Sequence, residues 1–95
     1  MRVIVLAGDG KHFSAGADLQ WMQRASSASL DWNVTDARRF AGMLGRLHDC
    51  PKPTLARVQG VALGGGVGLT CACDMAVASD DAKFAVSEAK FGILP

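Results

Sequence analysis

Apolar and polar positions along the 95 residues fall into short runs with two different periods. "RVIVLA", from Arg2 to Ala7, is β-branched and continuous and predicts a strand; "GDGKHFSAGADL" after it has the glycine and aspartate content of a loop. Asp18 to Met22 can start a short helix, whereas "RASSASLDWN" is serine-rich, lacks an apolar period and is expected to be a mobile surface loop. Further on, Ala37, Phe40, Ala41, Leu44 and Leu47 recur at helical spacing, with Thr35 as the expected N-cap and Pro51 and Pro53 as the stop. "TLARVQG" predicts a strand leading directly into "VALGGGVGLTCACD", where a glycine run opens a short apolar helix. "DMAVAS" and "KFAVSE" predict two short strands around a turn at Ser79-Asp80-Asp81, and Phe91 to Pro95 a trailing loop.

Strands alternating with helices imply an α/β domain with both sheet faces covered. A chain of 95 residues holds one domain at most and is too short to complete that cover. It opens within a strand and stops within a loop, so residues 1–95 are expected to be a fragment of a longer protein.

Composition changes the picture little. Hydrophobic residues make up 49% and charged residues 20%, with a net charge of +1, which is neither disordered nor basic enough to point to nucleic acid. Arg38, Arg39 and Arg46 on the predicted helix are balanced by Asp36 and Asp49 and read as a solvated face. The apolar runs fall far short of the roughly 20 residues of a bilayer span, and no cationic leader precedes one, so a soluble, cytoplasmic protein is the expectation. Cys50, Cys71 and Cys73 include no CxxC pair and are expected to be small buried thiols; no metal site is implied. His12 and His48 have no serine or carboxylate placed as triad partners and read as surface histidines.

The glycines remain to be explained. Read as GxGxxG from Gly64, the third glycine would fall on Leu69, and from Gly66 on Cys71; no Gly-Lys-Ser/Thr follows either, so neither phosphate motif is present. A helix N-terminus does expose unpaired N–H groups and about half a positive charge, which stabilise an anion, including one that exists only in a transition state. The N–H groups of "HFSAGADL" could converge on the same point and make a two-donor site. Tight strand-to-helix packing would account for the glycines equally well.

"HFSAGADLQWM", "PKPTLARVQGVALGGGVGLTCACDMAVAS" and "AKFAVSEAKFGILP", in this order and spacing, resemble the middle portion of the crotonase superfamily of enoyl-CoA hydratases and isomerases. The resemblance implies a ββα spiral, incomplete here, that binds an acyl-CoA thioester and holds its carbonyl oxygen between the backbone N–H groups of Ala17 and Gly65. Each such donor is typically worth about 3 to 4 kcal/mol. It also places Ser14, Ala15, Gly16, Asp18 and Leu19 beside the CoA and Gly64 and Gly68 along the substrate. CoA is then the carrier of the substrate and no further cofactor is implied. Trimers or pairs of trimers are the family's usual assembly.

The acid–base residues depart from the family pattern. A first glutamate is expected shortly after the glycine triplet, where this chain has Gly68; a second is expected at Glu88, the chain's only glutamate, in "SEAKFGILP". Glu88, set among Phe84, Val86 and Phe91, would then serve as base and acid in turn. A glycine at 68 resembles a subgroup acting on branched or carboxylated substrates, such as methylglutaconyl-CoA hydratases. A 2-enoyl-CoA hydratase is the leading expectation and a 3,2-enoyl-CoA isomerase its rival. A non-catalytic acyl-CoA binder or inactive truncated member is the alternative of another class.

Overall fold

The computed structural model describes residues 2–94. β1 (Ile4–Ala7) is followed by a loop, two helices α1 (Leu19–Ser27) and α2 (Leu30–His48), strands β2 (Thr54–Val58) and β3 (Val61–Leu63), and helix α3 (Gly65–Ala72). Strands β4 (Met75–Ala78) and β5 (Lys83–Ala85) and a 3-10 turn, Ser87–Phe91, complete the order. β2 lies at the centre of a parallel sheet ordered β1-β2-β4, and β3 pairs in parallel with β5 in a second small sheet.

β2 forms the core because its alternate residues point to one face. Thr54, Ala56 and Val58 are buried there with Ala62 and Cys73, and Leu6, Phe13, Leu47 and Ala82 pack around them. Thr54 is a polar residue in that core, and Asp74 satisfies it. The Thr54 N–H and Oγ1 donate to Asp74 Oδ2 at 2.9 and 3.3 Å, and the Asp74 N–H donates to Thr54 Oγ1 at 2.9 Å. This reciprocal pair ties the start of β2 to the end of α3.

Several sequence expectations are corrected. The "RASSASLDWN" interval is not a loop: α1 runs through Ser27 and α2 begins at Leu30, so Thr35 lies inside a helix and caps nothing. Asp18 caps α1, accepting from Gln20 N–H at 2.8 Å, and Ser29 caps α2, accepting from Trp32 N–H at 3.1 Å. Bonds between the two helices then hold the interval in place: Trp21 Nε1 donates to Asp36 Oδ1 at 3.2 Å and Asn33 Nδ2 to Ala25 O at 3.0 Å. The apolar stripe of α2 contains no buried residue, although Leu47 reaches the core.

"TLARVQG" is likewise not one strand running into the glycines. The chain turns at Gln59-Gly60, with Gly60 at φ 63°, and β3 starts anew at Val61. A side chain at Gly60 would strike His12, whose Nδ1 accepts from Val61 N–H at 3.1 Å. Gln59 Nε2 donates to both Gly8 O and Gly10 O at 3.0 Å, tying the loop after β1 to this turn.

The cover of the sheet is incomplete, as the length of the chain implies: β4 and β5 are exposed throughout, with Val77 at 59%. Among the cysteines only Cys73 is buried; Cys71 is exposed and Cys50 half-buried, and all three are free. The Ser79–Asp81 turn forms as the sequence predicts, closed by Ser79 Oγ donating to Asp81 Oδ1 at 2.7 Å. Phe91 ends the 3-10 turn, and the loop expected after it is seen from Gly92 onward, with Pro95 outside the described residues.

Candidate active site

The parallel register of β3 and β5 pairs Leu63 with Ala85, so both strands deliver the chain to one edge together. Two residues meet at that edge: Gly64, directly after β3, and Glu88, in the 3-10 turn after β5. Gly64 adopts φ 52° and ψ −116°, a conformation that side chains resist, and its N–H donates to Ala85 O at 2.9 Å. A Cβ built on Gly64 would lie 2.5 Å from Glu88 Oε1 and 3.3 Å from Oε2. The bare backbone at 64 is therefore the seat of a carboxylate.

Glu88 is half-buried, and its Oε2 is buried with no hydrogen-bond partner among the described residues. A buried carboxylate oxygen without a donor is costly and calls for a polar partner. Phe84, Val86 and Phe91, the expected apolar wall, are all exposed, Phe91 at 76%. Gly64 lies directly against the Glu88 carboxylate.

Gly66 has a different neighbour. A Cβ there would lie 2.7 Å from Ser14 Cβ and 3.0 Å from Ser14 Oγ. Ser14 bridges in parallel to Ala62, donating its N–H to Val61 O at 3.1 Å and accepting from Leu63 N–H at 2.9 Å. This docks the "SAGAD" loop beside the start of α3. Gly16, at φ 110°, continues the loop past Leu63, whose carbonyl oxygen would be 4.0 Å from a Cβ on it. Ala15, Ala17 and Leu19 are exposed, and the Asp18 carboxylate is committed to capping α1.

The Ala17 and Gly65 N–H groups donate to no acceptor among the described residues. Gly65 opens α3 at the positive end of its dipole, where a free N–H belongs. Its open side faces Phe40 of α2, whose ring Cζ lies 3.5 Å from a Cβ built on Gly65. A Cβ on Gly68 would touch only Leu44 Cδ1, at 3.8 Å, so the side of α3 where the sequence lacks an acid is bordered by an apolar residue of α2. Phe40 and Leu44 thus border these two glycines, although the sequence assigned them to an ordinary helix stripe. Nothing in their spacing distinguishes the two uses.

The site thus has free N–H donors at a helix start, a loop with a second free N–H docked against that start, and one carboxylate beside it. Such a set can polarise a carbonyl and move a proton next to it. Among the described residues no group of three His, Cys, Asp or Glu is placed to hold a metal ion, and no helix is long and apolar enough to cross a membrane.

Comparison with known proteins adds the family. The family model for enoyl-CoA hydratase/isomerase matches residues 1–95. A Thermus thermophilus protein classed with enoyl-CoA hydratases is 38% identical over 94 residues, covering 99% of this chain and 37% of its own length. The mitochondrial Delta(3,5)-Delta(2,4)-dienoyl-CoA isomerase of Dictyostelium discoideum is 35% identical over 102 residues, covering 99% and 35%. A solved Legionella pneumophila structure classed with enoyl-CoA hydratases/isomerases (crotonases) superposes with a TM-score of 0.93 at 50% identity, covering 99% of this chain and 36% of that one. The chain has the crotonase fold in incomplete form and spans a little over a third of the length of these relatives.

Proposed function

The chain belongs to the enoyl-CoA hydratase/isomerase family, and from the geometry of its site we propose that the protein containing it adds water to a 2-enoyl-CoA thioester. The observation that carries this reading is the Glu88 carboxylate seated on Gly64, with Oε2 buried and without a hydrogen-bond partner among the described residues. The thioester oxygen sits between the N–H groups of Ala17 and Gly65. Water attacks C3 and gives a proton to Glu88, while the electron pair of the double bond moves through C2 to the thioester oxygen. The two N–H groups stabilise that enolate, and Glu88 returns the proton to C2, leaving a 3-hydroxyacyl thioester and the carboxylate as it began. CoA is the carrier of the acyl group; a cytoplasmic setting and a trimer or pair of trimers complete the reading.

Replacing Glu88→Gln in the full-length protein is expected to lower hydration by about 100-fold or more. Near-normal turnover of the variant would sink the assignment.

A second reading, 3,2-enoyl-CoA isomerase, is favoured by one observation: the flank at Gly68 meets Leu44 and carries no second acid to order water. Glu88 would then take a proton from C2 of a 3-enoyl-CoA and return it to C4. Separate incubations with 2-enoyl and 3-enoyl thioesters discriminate the readings. Hydration adds the mass of water, and isomerisation moves the vinyl protons in NMR. With glycine at 68, branched or carboxylated enoyl-CoAs, methylglutaconyl-CoA among them, are the substrates to try first.

A further inference from the structure

We propose that Ser14 is a positioning residue whose side chain sets the separation between the Ala17 and Gly65 N–H groups. This rests on the two-donor reading above and adds a device that holds the donors in place. Ser14 is half-buried, and both of its peptide groups are fixed by β3, through Val61 O at 3.1 Å and Leu63 N–H at 2.9 Å. Its position relative to β3 is therefore not free to drift. The three atoms nearest to a Cβ built on Gly66 all belong to Ser14: Cβ at 2.7 Å, Oγ at 3.0 Å and O at 3.4 Å. The serine side chain is thus the spacer between the loop and the first turn of α3, and Gly66 is bare because that spacer occupies its side-chain volume.

The hydroxyl has a second task. Ser14 Oγ accepts from Gly16 N–H at 3.4 Å, across the reversal that φ 110° at Gly16 allows. With the Gly16 N–H turned back onto the serine, the next donor along the chain, Ala17 N–H, is the one left for a ligand. Removing Oγ releases Gly16 N–H and loosens the spacer, so one change affects both donors. A two-donor site tolerates little of this, since displacements near 1 Å cost about 100-fold in rate.

The test uses the full-length protein and butanoyl-CoA labelled with carbon-13 at the thioester carbonyl, which has no double bond to hydrate or move. Its carbonyl stretching frequency, read by isotope-edited infrared spectroscopy, reports polarisation by the donors. The native protein is expected to bind the probe and lower the frequency; absence of both would overturn the function proposed above rather than the role of Ser14. Ser14→Ala is expected to bind within about threefold of native, to lose half or more of the frequency shift and to turn over an enoyl thioester about tenfold more slowly. A native frequency shift and turnover in Ser14→Ala overturn the proposal. Gly66→Ala is expected to lose the shift, and Gly66→Ala with Ser14→Gly to regain part of it as space returns. A folded double variant no better than Gly66→Ala alone would also overturn it, and if neither folds, Ser14→Ala decides by itself.

Discussion

Gly64 and Gly68 stand about one turn apart at the start of α3 and are glycines for opposite reasons. At Gly64 the backbone is at φ 52° and a carboxylate oxygen occupies the place of a side chain, so any other residue strains the backbone and displaces the carboxylate. At Gly68 the backbone is helical and a Cβ would make only an ordinary contact with Leu44, so a side chain is permitted and absent. Geometry calls for one glycine and leaves the other position open to a side chain. A glycine-rich stretch therefore has to be read position by position.

That contrast can be broken most severely at Gly64. Gly64→Ala in the full-length protein is expected to reduce turnover by about 100-fold or more, because the new Cβ displaces Glu88 as well as straining the backbone. Steady-state kinetics beside a thermal melt separate the two effects, and an active, native-like Gly64→Ala would refute the proposed seat. Gly68→Glu tests the other side of the comparison. It restores a second carboxylate where the helix has room at Cβ, and the ratio of hydration to isomerisation is expected to rise on the order of tenfold. The smallest effect belongs to Gly68→Ala, where the helix gains about 0.5 to 1 kcal/mol and Tm rises by about 1 to 3 °C at near-native activity. A destabilised Gly68→Ala would mean that the helix cannot accept the methyl group and that the two glycines are alike after all.

Much of the site was legible in the sequence because its parts are backbone signals. A glycine run opening a helix predicted a bare helix start, and the family resemblance of "SEAKFGILP" pointed to Glu88. What the sequence did not reveal is which atom fills the space above each glycine. Glu88 on Gly64, Ser14 on Gly66 and Leu44 near Gly68 come from segments that pattern analysis treats separately. The fold was legible in most of the strands and in the start of α1 at Asp18 to Met22, and illegible from Arg24 to Asn33, where the cap at Ser29 and bonds between the helices, such as Trp21 to Asp36 and Asn33 to Ala25, hold helical segments that the serine-rich pattern does not announce. β3 was hidden for a related reason. Apolar content runs on past Gln59-Gly60, and only the glycine at positive φ marks the break.

The two Gln59 bonds, to Gly8 O and Gly10 O, span 51 and 49 positions of sequence, against 20 for the Thr54–Asp74 pair. Loop-closure entropy makes the longer tie costlier by about 0.8 kcal/mol before any contact offsets it. The segments that carry the Ala17 and Gly65 N–H groups are consequently held on unequal terms. The Gly65 side lies within a short loop closed by near neighbours. The Ala17 side belongs to a segment brought in across half the chain and held there by the Gln59 bonds and by the pairing of Ser14 with β3.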